Sequence, residues 1–126
     1  MNTPEHIVEL EDNEIFVFGS NYAGRHGKGA ALTAKRLFGA TQGQGTGRMG
    51  RCYAIPTKGH KMEVLSLEHI RAGVGRFLVY AEHHPELRFL VTPIGCGLAG
   101  YKPKEIAPMF HYAPGNVILP RCFVEG

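Results

Sequence analysis

The sequence predicts a single three-layer α/β/α domain with a mixed, mostly parallel sheet, and three observations carry that expectation. Short β-branched and aromatic runs alternate with segments of helical periodicity, a pattern that lays helices on the faces of a sheet through right-handed crossovers. Residues 1–126 contain no internal repeat and no interdomain linker, and one domain of this size buries about two-thirds of its unfolded surface. The 17 glycines concentrate at 19–50 and 95–100, and both clusters follow predicted strands.

Residues 14–19 (EIFVFG) form an unbroken apolar run that fits a strand buried on both faces. Residues 30–38 (AALTAKRLF) read as a helix, with Ala30, Ala31, Ala34, Leu37 and Phe38 on its apolar side and Gly39 as its stop. Residues 39–50 (GATQGQGTGRMG) read as a flexible loop and 51–56 (RCYAIP) as a second strand. Ser66 is placed to cap a long helix over 67–84, where Leu67, Ile70, Val74, Phe77, Leu78 and Ala81 recur at helical spacing. A third strand follows at 87–92 (LRFLVT). Pro103 then opens a short helix over 103–111, and residues 116–119 (NVIL) make the last strand.

The net charge of +3 is unevenly laid out. Residues 1–14 hold five acids and no Lys or Arg, whereas 15–62 contain no Asp or Glu against eight bases, Arg25, Lys28, Lys35, Arg36, Arg48, Arg51, Lys58 and Lys61. An acid-free, glycine-rich stretch suggests a surface that holds anions, with a solubilising positive face as the plainer reading. Cys52, Cys96 and Cys122 are odd in number and widely spaced, so neither a disulfide framework nor a zinc ribbon is expected. No set of His, Asp and Cys has ligand spacing, so neither a metal nor a cofactor is expected. The acidic N-terminus lacks a targeting pattern, and no run approaches the ~20 apolar residues that span a bilayer. A cytoplasmic protein with no membrane partner is therefore expected.

Ligands of open α/β sheets bind beyond the carboxyl ends of the strands, which is where both glycine clusters fall. The first, residues 19–29 (GSNYAGRHGKG), leads into the predicted helix at Ala30. Glycines let its backbone approach an oxyanion, and the helix dipole adds favourable potential. It is not a P-loop, because Lys28 is followed by Gly29 rather than a magnesium-binding hydroxyl. The second, residues 95–100 (GCGLAG), matches G-x-G-x-x-G but lies near the C-terminus, without the acidic residue that a dinucleotide fingerprint places about 20 positions on. What survives is a phosphate nest.

Taken together, residues 27–39 (GKGAALTAKRLFG), 52–58 (CYAIPTK) and 92–101 (TPIGCGLAGY) resemble a macro domain, most closely the branch containing the terminal ADP-ribose protein glycohydrolase. The resemblance covers most of residues 15–119 and implies binding of an ADP-ribose-like small molecule, free or attached to protein or nucleic acid. It implies contacts from Asn21, Gly27 and Gly29 in the first loop. In the second it implies Ile94, Gly95, Cys96, Gly97 and Leu98, the loop that embraces the pyrophosphate. That branch uses a lysine after the second strand, matched by Lys58, and an aspartate in the second loop, where this chain has Ala99. The chain is shorter than a typical macro domain at both ends, so one or two edge strands are expected to be missing, and exposed edges could drive dimerisation. The oligomeric state is left open.

Several loop residues carry two readings. Lys58 is an imine-forming amine or phosphate partner, or a solvated loop lysine. His26 is a general base or a solvated histidine. Cys96 is a nucleophile whose thiolate is stabilised by helix N-termini and lysines, or a small packing residue. Tyr22 and Tyr101 stack on adenine or close over a ribose, or cover the sheet end. Asn21 can donate to and accept from ribose hydroxyls. Ser20, Lys28 and Gly100 complete the two candidate loops, while His83 and His84 are read as capping the long helix. Lys58, Asn21 and His26 are the catalytic candidates if the protein is an enzyme. The function expected first is ADP-ribose binding by a reader, sensor or sequestering protein. The alternatives are an ADP-ribosyl hydrolase and a single-stranded nucleic-acid binder using the basic segment.

Overall fold

A computed structural model describes residues 2–125; residues 1 and 126, the outermost positions of the expected domain, lie outside it. In chain order the elements are strand β1 (Glu14–Asn21), helix α1 (Gly29–Leu37), strands β2 (Gly47–Met49) and β3 (Cys52–Lys58), helix α2 (Leu67–Glu82) and strand β4 (Arg88–Val91). Helix α3 (Pro103–Ile106), a 3-10 turn (Ala107–Phe110), strand β5 (Val117–Ile118) and helix α4 (Arg121–Val124) complete the chain. The strands form one mixed sheet in the order β2-β3-β1-β4-β5. Among the four pairings of these strands, β2–β3 is antiparallel and the other three are parallel.

Side chains alternate across a strand, so each strand feeds two cores. Ile15, Val17, Tyr53, Ile55, Phe89 and Val91 meet Ile70, Val74, Phe77 and Ala81 of α2 on one face. On the other, Phe16, Phe18, Cys52, Ala54 and Leu90 meet Ala31 and Ala34 of α1 and the adjoining Phe38. Helices therefore cover both faces of the sheet. β1 runs through the middle and is buried on both sides, with Val17 and Phe18 fully enclosed. Ser66 caps α2 as expected, its Oγ accepting from His69 N–H at 3.1 Å.

The differences from the sequence reading have local causes. Residues 39–50 are not a free loop, because Gly47–Met49 pair with β3 as an edge strand too short to show periodicity. The helix expected over 103–111 tightens to 3-10 after Ile106, where Pro108 has no N–H for an α-helical bond. α2 stops at Glu82, and the His83 ring donates from Nδ1 to Val79 O at 2.8 Å. Leu37 is 52% exposed, and Phe38 turns inward instead. α4 was not foreseen, since four residues carry no readable period. β3 continues past Pro56 to Lys58, with a register shift opposite Ser20 and Asn21: Ser20 pairs with Pro56, and Asn21 with Lys58. Such a bulge re-aims the residues beyond it.

Candidate functional site

A cavity of about 630 Å³ lies beyond the carboxyl ends of β1, β3 and β4, at the N-terminus of α1. Its volume is that of a small-molecule site.

One wall is the β1–α1 loop, which is shaped by its own side chains. Arg25 N–H donates to Asn21 Oδ1 and Asn21 Nδ2 donates to Arg25 O, both at 2.9 Å. Gly24 N–H closes the same turn on Asn21 O at 2.9 Å. Residues 41–45 lie against this loop almost backbone to backbone. Gly43 N–H donates to Gly24 O at 2.9 Å, and Ser20 Oγ donates to Gly45 O. A Cβ on Gly45 would fall 1.9 Å from Asn21 O. Beyond His26 the chain opens: a Cβ on Gly27 or Gly29 would meet nothing within 4 Å. The N-cap of α1, Lys28, supplies no side-chain bond. The N–H groups of residues 27–31 have no protein partner among the described residues.

The loop after β4 forms the opposite wall. Four of its N–H groups close the loop on itself: Ile94 to Thr92 O, Cys96 to Pro93 O, Gly100 to Gly97 O and Tyr101 to Gly95 O, at 2.7–3.2 Å. The N–H groups of Gly95, Gly97, Leu98 and Ala99 have no partner among the described residues, and these four residues line the cavity. Gly95 (φ +74) holds a left-handed conformation. Lys58 enters from the bulged end of β3, and Met62 from the following turn, where it sits at φ 64. Among the described residues the cavity's charged side chains are Arg25, Lys28 and Lys58, and no Asp or Glu lines it.

The structure thus brings together Ser20, Asn21, Gly27, Lys28, Gly29 and Lys58 with Ile94, Gly95, Gly97, Leu98 and Ala99. Tyr22, His26, Cys96, Gly100 and Tyr101 fall outside the lining. Tyr22 bonds through its hydroxyl to His69 Nε2 at 2.7 Å and stacks on His60. Tyr101 donates to Leu65 O at 2.5 Å. His26 is fully buried, edge-on to Phe18, with Nε2 at 2.9 Å from both Thr41 O and Gln44 O. Carbonyls only accept, so Nε2 carries the proton. His26 Nδ1 is buried without a partner among the described residues. In place of a solvated histidine or an exposed base, the geometry is that of a residue holding the 41–45 segment to the loop. Burial pushes the Cys96 thiol up to about 11, with Cys122 and Glu105 adding to it, so the thiolate stabilisation expected from helix N-termini and lysines is not found.

The acid-free stretch is not one surface. Arg51 donates to Leu10 O and Glu11 O, and Arg48 to Gly50 O and Tyr80 Oη, at the end of the sheet where β3 begins. Only Arg25, Lys28 and Lys58 of the eight bases line the cavity. Sequence reasoning missed Gly19, Arg25, Ala30, Ala31, Thr57, Met62, Thr92 and Pro93 as lining residues. Arg25 was legible from its place in the first glycine loop, whereas Met62 depends on how the turn after β3 folds back.

Fold and site define a class: an α/β domain with a cationic cavity, free of lining carboxylates among the described residues, at the carboxyl ends of its parallel strands. Comparison with known proteins finds no match to a family model, a curated protein or a solved structure.

Proposed function

We propose that the cavity binds ADP-ribose or a related NAD-derived nucleotide, so that the protein acts as a reader, sensor or sequestering protein. One observation carries this reading: residues 27–31 and Gly95, Gly97, Leu98 and Ala99, whose backbone N–H groups have no partner among the described residues, line a single cavity with three cations and, among the described residues, no carboxylate. Phosphate oxygens are pure acceptors with negative charge, the complement of such a set. The resemblance of these loops to macro domains supports the same ligand class. Lys58 in the lining supports a second reading, removal of ADP-ribose from protein or nucleic acid. With Ala99 at the carboxylate position, its acid or base would have to come from a ligand phosphate or water.

Calorimetric titration with ADP-ribose is expected to show one-site binding. Lys58→Ala should weaken it about tenfold, the loss of one charge-assisted bond. Gly97→Glu should abolish it, since a Cβ there meets nothing within 4 Å and the carboxylate would enter the donor set. No heat with any adenine nucleotide sinks the proposal. Release of ADP-ribose from modified protein or nucleic acid, lost in Lys58→Ala, would favour hydrolysis.

A further inference from the structure

Met62, at φ 64, is the one non-glycine residue among those described that holds a left-handed backbone; every other such position is a glycine. A Cβ strains that conformation, which is why glycine usually occupies it. Met62 also lines the cavity.

The turn that imposes the conformation is closed several times over. Lys58 and Val64 bridge as antiparallel partners, Gly59 N–H donates to Glu63 O at 2.8 Å, and Met62 N–H donates to Gly59 O at 3.1 Å. Lys61 N–H donates to the Glu63 carboxylate at 3.0 Å, and that carboxylate packs so closely on Gly59 that a Cβ there would lie 2.3 Å from it. Neighbours therefore fix the backbone at Met62, the condition under which local strain persists, and such strain clusters at ligand sites. Glycine at this position would make the same turn without strain. Nor does core packing account for the side chain, since Met62 belongs to neither hydrophobic core among the described residues.

With its N–H engaged by Gly59 O, Met62 brings to the cavity a flexible, polarisable apolar arm. A thioether gains little from a phosphate but packs favourably on an aromatic ring. In a nucleotide that ring is the base. From this we infer that the turn after β3 holds Met62 in its left-handed conformation so that the thioether packs on the base of the bound nucleotide. The inference rests on the nucleotide-binding reading and adds to it a named contact for the base.

Calorimetric titration of the full chain with ADP-ribose, paired with urea unfolding, tests it. Met62→Gly should weaken binding about three- to tenfold, the range of one thioether–ring contact, while its urea midpoint holds or rises as the strain is relieved. Met62→Leu keeps both the strain and the apolar bulk, and should bind within about threefold of the unaltered chain. In protein carrying carbon-13 methionine methyls, the signal missing from Met62→Leu should move upfield at saturating ADP-ribose, under the ring current of the base. Unchanged affinity in Met62→Gly, or a methyl signal that stays in place, overturns the inference and leaves nucleotide binding standing. Matched falls in affinity and urea midpoint also overturn it, because Met62 would then act by packing the turn. If the unaltered chain binds no ADP-ribose, the nucleotide-binding reading falls and this inference with it.

Discussion

Gly24 and Gly43 meet backbone to backbone: Gly43 N–H donates to Gly24 O at 2.9 Å, and a Cβ on Gly24 would lie 2.3 Å from the Gly43 carbonyl carbon. This contact joins the β1–α1 loop to the segment that supports it, upstream of the donors at residues 27–31.

The pair makes a directional prediction. Gly24→Ala meets both the steric block and a φ of +68, so it should lower stability by roughly 2–4 kcal/mol and loosen ligand binding. Gly43→Ala adds only left-handed strain at φ +95, since its Cβ meets nothing within 4 Å, and should cost about 1–2 kcal/mol. Urea unfolding of the two variants compares them; equal losses would mean that the contact is not structural.

Both ends of the Asn21 amide bond Arg25, so the proposed ligand should feel Asn21 through the shape of the loop. Asn21→Ala leaves the Arg25 N–H and carbonyl unpaired and should cost about 1–3 kcal/mol of stability. Asn21→Asp keeps the acceptor for Arg25 N–H and adds a negative charge beside the donor set. Its ADP-ribose affinity should therefore fall further than its stability, with calorimetry and urea unfolding measured on the same preparations. An Asn21→Ala variant of unchanged stability would return Asn21 to the role of a simple ligand contact.

The cysteines set an alkaline limit. Burial raises Cys52 to about 11 against Arg48, which lowers it, and Cys96 also to about 11, both from an ordinary 9.0. Between pH 9 and 11 the unfolded thiols release protons that the folded ones retain, so stability is present below pH 9 and falls as pH rises to 11. Cys52→Ala should flatten that decline, followed by urea midpoints across the range. At pH 8 Cys96 should alkylate slowly, and its rate should rise about tenfold per pH unit up to pH 10, as mass spectrometry of its peptide would show. Rapid alkylation at pH 7 would contradict this environment.

Much of the site was legible because its chemistry is local. A glycine run between a strand and a helix, or G-x-G-x-x-G after a strand, states by itself where backbone donors will be exposed. Gly27, Gly29, Gly97 and Ala99 were found this way, and all line the cavity, as does Lys58, which the family resemblance singled out. The side chains were less legible. Asn21 and His26 read as ligand-facing groups, yet Asn21 is engaged by Arg25 and His26 by Thr41 and Gln44. Tyr22 bonds His69, 47 positions away in the chain, and stacks on His60.

The sequence by itself determined the alternation of strands and helices, the central buried β1, the cap at Ser66 and the two loops of backbone donors. These follow from periodicity, glycine and capping chemistry within a few residues. Only the tertiary structure decided which polar side chains remained available, which bases gathered at the cavity and how far burial raised the Cys96 thiol. A hydrogen bond or a desolvation cost belongs to the neighbours that the fold brings close, and those neighbours are distant in the chain.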